Sequence, residues 1–351
     1  MMNATLKYDA FARMMQTNPD RLDNFYCVTG DELLLRNETV DLIRQRCRDK
    51  LYNERISLVL EANGAWEKIQ ESLQNTSLFA DLKILEITLP GGKPGRQGGP
   101  ALIQLAEQLR GNGVDDVCVI LSLPKLDKTT LNTKWAKAIW DSAVVIDTPN
   151  IAREHLPTWI KQRLALQNQR VDDETLSMIV DKVEGNLFAA HQEILKLGLM
   201  YPEGFIDAQA IYQDVHDVAR YDVFQLTNAT LAGDAKRAVR ILNGLQSEGE
   251  ALPLVLALLT REIRTLYTLA LARQQGREIT SLFKSLGIFG PRDRLIRASL
   301  ERIQLKQLIG LIQHASDIDR LFKGFPVPGR LLDAWQELQR LVIKIAQPNA
   351  L

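Results

Sequence analysis

Short apolar runs alternate along the first part of the chain with longer stretches whose apolar positions recur at helical spacing. Asn24 to Val28 reads as a buried strand. Gly30 follows, then a helix from Asp31 to about Lys50 whose inner stripe is Leu34, Val40, Leu42, Ile43 and Cys47. Ile56 to Leu60 is a second strand, and Trp66, Ile69 and Leu73 mark one face of the next helix. Leu82 to Leu89 is a third strand, with Leu82, Ile84 and Ile87 among its core candidates. A Gly/Pro-rich loop from Pro90 to Pro100 leads into a helix carrying Leu102, Leu105 and Leu109. A strand over Val117 to Leu121, a helix over Trp135 to Trp140 and a strand over Val144 to Ile146 complete the series. Strands that alternate with helices predict a parallel sheet covered on both faces.

After Asp147-Thr148-Pro149-Asn150 the strand signals stop. A helix around Leu156 to Gln167 precedes Asp172-Asp173-Glu174, a charged helix start, and a second helix runs to Val183. Gly185-Asn186 breaks the chain before a helix from Leu187 to Leu197. Tyr201-Pro202-Glu203-Gly204 reads as a plain turn, and a short helix around Ala208 to Asp214 completes a small helical bundle. From about Tyr221 onward everything reads helical: Val223–Leu231, Ala235–Leu245, Leu252–Arg273, a short piece near Leu282, Arg292–Ile303, Leu305–Leu321 and Leu331–Ile345. The expected organisation is an α/β domain over 1–148, a small helical domain over 149–218 and an all-α domain over 219–351.

Composition narrows the chemistry. The 351 residues carry 43 Lys+Arg against 43 Asp+Glu, so no global basicity points to nucleic acid, although a local patch would be averaged away. The 3 cysteines, Cys27, Cys47 and Cys118, are far apart and odd in number, as reduced thiols of a cytoplasmic protein would be. No Cys-x-x-Cys and no His pair at ligand spacing suggests a metal. The longest apolar run, Leu252 to Leu259, is too short for a bilayer, so a cytoplasmic protein with no membrane partner is expected.

A strand, a glycine and a helix start are where a phosphate-binding loop would sit, because helix N-termini bind anions. The loop should read G-x-x-x-x-G-K-[ST]. Here Val28-Thr29-Gly30-Asp31-Glu32-Leu33 lacks the rest of the motif, and Asp31 and Glu32 place negative charge where phosphate would go. Gly91-Gly92-Lys93-Pro94-Gly95-Arg96 reads as a flexible surface loop, with Lys93 and Arg96 able to touch a phosphate backbone. Asp115-Asp116 reads as a solvated turn, and His155, His191, His216 and His314 are isolated in sequence. No Gly-x-Ser-x-Gly elbow occurs. No catalytic, cofactor-binding or metal-binding residue is therefore assigned. The arginine clusters Arg261-Glu262-Ile263-Arg264 and Arg292-Asp293-Arg294-Leu295-Ile296-Arg297 read as solvated faces or interhelical ion pairs, and Trp335 as core.

One apolar pair has no obvious place in these elements. Ser77-Leu78-Phe79-Ala80-Asp81 follows the turn residues Asn75 and Thr76, between a helix and a strand. Leu78 and Phe79 either cover the end of the local core or are presented to a partner, where burying both would contribute roughly 3–6 kcal/mol.

Sequence blocks spread over nearly the whole chain carry a family resemblance. They are Gly30-Asp31-Glu32-Leu33-Leu34-Leu35 with Glu38, Ser77-Leu78-Phe79 before an apolar strand, and Lys125-Leu126-Asp127-Lys128. Leu156-Pro157-Thr158-Trp159-Ile160, Glu184-Gly185-Asn186-Leu187, Gly233-Asp234 with Arg237-Ala238, and Leu258-Thr260-Arg261-Glu262 complete the set. In this order and spacing they resemble the delta subunits of the bacterial DNA polymerase III clamp loader, inactive members of the AAA+ group. The resemblance implies an AAA+/RecA-like α/β domain with a degenerate nucleotide site, a small helical lid and an all-α collar. It further implies a protein without catalysis or cofactor that binds and opens the beta sliding clamp through a hydrophobic wedge. That wedge maps onto Leu78 and Phe79, with Ser77 shaping the loop. The implied partners are the gamma/tau ATPase subunits and delta-prime in a hetero-pentamer, and primer-template DNA in the assembled complex. An active AAA+ ATPase and a stand-alone DNA-binding protein are the alternatives.

Overall fold

Apolar residues in the central strands alternate between two packed faces, as the pleat requires when both sides of a sheet are covered. Phe25, Cys27, Leu85, Ile87, Val119 and Leu121 join one core with Trp66, Leu102, Leu105 and Trp135. Tyr26, Val28, Ile84, Cys118 and Ile120 join the other with Phe11, Ile43 and Cys47. The computed structural model describes residues 5–74, 82–110, 116–209, 214–215 and 219–349. Ser77, Leu78, Phe79, Asp115, His216 and much of the short helix expected near Ala208 to Asp214 lie outside the described residues.

Strands β1 (Leu6–Lys7), β2 (Phe25–Thr29), β3 (Glu54–Val59), β4 (Lys83–Thr88), β5 (Val117–Leu123) and β6 (Val144–Asp147) form one sheet in the order β1-β6-β2-β5-β4-β3. Every pairing is parallel, with Tyr26 opposite Ile120 on one side and Val144 on the other. Helices α1 (Tyr8–Thr17), α2 (Leu33–Asp49), α3 (Glu67–Gln74), α4 (Gly95–Arg110), α5 (Lys128–Leu131) and α6 (Lys134–Ser142) supply the connections. The α/β parallel sheet is therefore the one expected.

Two features differ from the expectation. The described residues open with β1, paired to β6 through Leu6 and Ile146, and with α1, which buries Phe11 and Met15. A strand of 2 residues has no period to read. The Gly/Pro-rich stretch is also shorter as a loop and more packed than its composition suggests. Gly92 and Pro94 are buried, and α4 starts at Gly95 and runs through Pro100. A Cβ on Gly98 would lie 2.3 Å from the Trp66 ring, so tertiary packing places a poor helix former inside this helix.

Helices α7 (Leu156–Ala165), α8 (Asp173–Val183) and α9 (Leu187–Met200) follow. The Asp172 carboxylate caps α8 by accepting from the Thr175 N–H at 2.7 Å. Contrary to the all-helical reading of this stretch, β7 (Gln169–Arg170) pairs in parallel with β8 (Gly204–Phe205). The buried Gln169 amide donates to the carbonyls of Leu197 and Tyr201, tying this small ladder to the end of α9.

The chain divides into two compact units, Met1–Leu176 with Leu187–Ala208, and Ser177–Asn186 with Gln209–Leu351. The second is helical throughout its described residues: α10 (Val223–Ala232), α11 (Ala235–Ser247), α12 (Leu252–Gln274), α13 (Thr280–Ser285), α14 (Pro291–Arg302), α15 (Leu305–Phe322) and α16 (Ala334–Ala346). Its core gathers Leu226, Ile241, Leu259, Ile263, Leu308, Ile318 and Leu341, with Trp335 packed at its margin. The last helix starts at Ala334 rather than Leu331, because the Asp333 carboxylate accepts from the N–H groups of Trp335 and Gln336 and fixes its N-terminus. Among the described residues no helix is long and apolar enough to cross a membrane.

Candidate functional site

In an open parallel sheet the favoured ligand position is the crevice beyond the carboxyl ends of the strands, where the connections diverge. Here that place is the end of β2. Thr29 and Thr148 lock its floor: the Thr148 N–H donates to the Thr29 carbonyl at 2.7 Å, and Thr29 Oγ1 donates to the Pro124 carbonyl at 3.0 Å. Gly30 sits against this floor at φ +146°, and a Cβ there would lie 2.2 Å from the Thr148 carbonyl oxygen. Only glycine fits.

The next two residues occupy the space where an anion would bind. Glu32 is the N-cap of α2, and its Oε1 accepts from the Leu34 N–H at 3.2 Å. Asp31 Oδ1 accepts from the Lys125 N–H at 3.2 Å. Burial holds the Glu32 carboxyl above its ordinary value, with the charge of Glu38 adding to the effect against the Leu34 hydrogen bond. Counting from Gly30, Leu35 stands where the second glycine of a phosphate loop would be and Arg36 where its lysine would be. Burial lowers the Arg36 guanidinium, and its Nη1 donates to the Gly30 carbonyl at 3.4 Å. The helix N-terminus is therefore capped by a side chain of its own loop, and the nearby cation points back into that loop.

One turn further along α2, Glu38 is the hub of a second arrangement. Its two oxygens accept from Arg163 Nη1 and Nη2 at 2.7 and 2.6 Å, and Oε2 also accepts from the Tyr8 hydroxyl at 2.9 Å. The pair is largely shielded, at 14% and 20% side-chain exposure for Arg163 and Glu38. Burial alone would lower the Arg163 pKa, but Glu38 outweighs it and raises it. The Tyr8 phenol is pushed up to about 12, first by burial and then by the Glu38 charge. The Arg163 guanidinium also lies over the Trp159 ring at 4.9 Å. Trp159 and Tyr8 line an open cavity of about 300 Å³ together with Leu35, His155 and Gln162. This network fastens α7 to α1 and α2. Glu38 was legible in the sequence, whereas Arg163 and Tyr8 were not, since their partner lies 125 and 30 residues away.

Other blocks meet in the helical unit. Gly185, at φ +79°, packs its Cα against the Arg220 carbonyl, where a Cβ would lie at 1.8 Å. The buried Glu184 carboxylate pairs with Arg237, and Asp234 caps α11 by accepting from the Arg237 N–H at 3.0 Å. Two blocks 53 residues apart are thus one ion pair. Glu262 is buried and accepts twice from Arg292 Nη2 at 2.6 Å, the interhelical pair expected of these arginine clusters. Arg261 and Arg264 instead line an open cleft of about 770 Å³ beside α15.

The expected clamp-binding residues Ser77, Leu78 and Phe79 lie outside the described residues, between α3, which ends at Gln74, and β4, which starts at Lys83. The flanking Leu82 carbonyl accepts from the N–H groups of Asn53 and Glu54, and the Lys83 N–H donates to the Asp116 carbonyl. These contacts put Leu82 and Lys83 at the edge where strands begin, the opposite edge from Gly30. Among the described residues no group of His, Cys, Asp and Glu side chains could hold a metal ion.

Comparison with known proteins meets this geometry at both ends of the chain. The family model for the DNA polymerase III delta subunit matches residues 26–148, which include the sheet from β2 to β6. The model for the C-terminal domain of the same delta family matches residues 220–327, most of the helical unit. The chain belongs to the DNA polymerase III delta subunit family. It is 29% identical to the DNA polymerase III subunit delta of Escherichia coli over 82% of both chains. It is 28% identical to that of Haemophilus influenzae, covering 86% of this chain and 90% of the relative. Among solved structures, the DNA clamp loader delta protein of Bacillus subtilis superposes with a TM-score of 0.50. That match covers 97% of this chain and 99% of the other at 17% identity, a likeness of fold.

Proposed function

We propose that this delta-family chain works within a clamp loader, where it binds a ring-shaped sliding clamp and opens it for loading onto primed DNA. The observation that carries the reading is that delta-family models match both the sheet-bearing segment and the helical segment of the same chain. In this reading residues 1–148 carry the clamp-binding element, 149–218 form a lid and 219–351 form a collar. The collar joins the gamma/tau ATPase subunits and delta-prime, and the assembled complex contacts primer-template DNA.

Leu78 and Phe79 are the proposed wedge, with Ser77 shaping the loop. Holding a ring open requires tighter binding to its open form than to its closed form, so the wedge must supply differential binding energy. Burying the two side chains supplies roughly 3–6 kcal/mol, or about 10²–10⁴-fold in affinity. The chain itself is proposed to be non-catalytic. Supporting this, Glu32 already caps the helix that would hold a nucleotide phosphate, and Arg36 is turned onto the Gly30 carbonyl.

A pull-down with purified sliding clamp tests the wedge: Leu78→Ala/Phe79→Ala is expected to fold normally and lose the clamp. Titration of the isolated chain with labelled ATP tests the non-catalytic role. No saturable binding is expected, and micromolar saturation would favour an active ATPase instead.

A further inference from the structure

The helix α3 has 8 residues, too few to hold its shape without tertiary contacts. It ends at Gln74, so whatever sets its direction also sets the point from which the chain departs toward Leu78 and Phe79. After those residues the sheet fixes the chain. The Lys83 N–H donates to the Asp116 carbonyl at 2.9 Å, and β4 is paired along both its edges. No such ladder is open to α3, and side chains hold it instead.

Two fastenings join α3 to α4. Just before the first residue of α3, the buried Trp66 ring fills a notch over Gly98, where a Cβ would lie 2.3 Å from the ring. The Trp66 indole N–H donates to the Glu61 carbonyl at 3.2 Å and fixes the ring in that notch. One turn along α3, Gln70 meets Gln108 in the last turn of α4, and both are half-buried. The Nε2 of each amide donates to the Oε1 of the other at 3.0 Å. A primary amide offers a donor and an acceptor side by side, so the pair closes as a two-bond clasp.

Gly98 and Gln108 are about 15 Å apart along the axis of α4. Attachment at one point leaves a short helix free to swing, whereas attachment at two separated points sets its direction. Ile69 and Leu73 press α3 onto the core, but apolar burial is non-directional and does not choose an angle. Hydrogen bonds weaken steeply as they misalign, so the clasp does choose one.

Given the proposed wedge, on which this role rests, we infer that Gln70 and Gln108 are positioning residues for clamp binding. Their clasp holds α3 at the angle from which Leu78 and Phe79 reach the partner's pocket. A chain whose α3 keeps that angle for only a fraction of the time binds with affinity reduced by that fraction. The contacts made once bound are unchanged. Loosening the clasp therefore slows association, whereas removing the wedge side chains speeds dissociation.

The test is to measure association and dissociation of the full chain on immobilised sliding clamp. Gln108→Glu keeps the side-chain volume but sets a carboxylate oxygen against Gln70 Oε1, since a carboxylate only accepts. Association is expected to slow roughly three- to ten-fold, the scale of one hydrogen bond, with dissociation unchanged. Gln70→Lys/Gln108→Glu replaces the clasp by an ion pair and should recover most of the lost rate. A merely structural role would lower the urea midpoint of Gln108→Glu and leave its association rate alone. Leu78→Ala/Phe79→Ala, run alongside, should dissociate faster. If that control loses the clamp while Gln108→Glu associates like wild type, or while the double glutamine variant recovers nothing, the clasp alone is overturned. A control that binds like wild type would overturn the wedge, and the clasp's role with it.

Discussion

Gly30 and Gly310 are opposites. Gly30 occupies the place where the topology of an α/β sheet puts a ligand, and it is pressed so closely onto Thr148 that a Cβ would lie 2.2 Å from a carbonyl oxygen. Gly310 lies on a helix that no nucleotide motif marks, and a Cβ there would meet nothing within 4 Å. At Gly30 the chain fills its own crevice: Glu32 caps α2, Asp31 takes the Lys125 amide and Arg36 folds back onto the loop. At Gly310 the surrounding side chains leave open space. A fold family's usual ligand position therefore says little until the groups lining it have been accounted for.

The largest expected effect on stability in this comparison comes from the network behind the filled crevice. Glu38→Ala leaves Arg163 shielded and without its carboxylate. It should destabilise the chain toward the lower end of the about 3–5 kcal/mol typical of broken buried pairs, since both groups retain some exposure. Urea unfolding measures it. A midpoint unchanged from wild type would show that the network does not fasten α7 to α1 and α2.

The glycines themselves should respond with opposite signs. Gly30→Ala forces a side chain into a positive-φ backbone and onto Thr148, and should cost at least about 1–3 kcal/mol. Gly310→Ala removes a helix-interior glycine without a clash and should stabilise by up to about 1 kcal/mol. Thermal unfolding of the two variants side by side checks the contrast. Destabilisation at both positions would break it.

Acid gives the smallest effect. His191 and His314 both have pKa values lowered, first by burial. A depressed folded-state value means that their contribution is fully present above the ordinary histidine value of about 6.5. It is lost as pH falls through that value toward the folded one, by at most about 1.4 kcal/mol per histidine for each pH unit. Unfolding midpoints between neutral and mildly acidic pH should fall accordingly. Replacing either histidine by glutamine should flatten part of that slope.

The sheet was readable because β2 and β5 are nearly continuous apolar runs, β4 carries Ile84, Leu85 and Ile87, and the helices between them keep their periodicity. The pairing of β1 with β6 and of β7 with β8 was not, because each of β1, β7 and β8 has only 2 residues and depends on a partner distant in sequence. The start of α4 was hidden for a different reason: Gly95, Gly98 and Pro100 argue against a helix locally, and the close approach of Trp66 to Gly98 overrides them. At the crevice, sequence showed that Asp31 and Glu32 oppose phosphate, but not that Glu32 would itself become the cap of α2. Arg163 carried no local sign of its bond to Glu38. Gly310 looked like any helix glycine until the space around it could be seen.

Binding to the sliding clamp tests the proposed wedge, Leu78 and Phe79, most directly. The purified chain mixed with clamp in the absence of ATP should form a saturable complex. Leu78→Ala/Phe79→Ala, with an unchanged unfolding transition, should bind roughly 10²–10⁴-fold more weakly. Wild-type affinity in the double variant would contradict the assignment of the wedge.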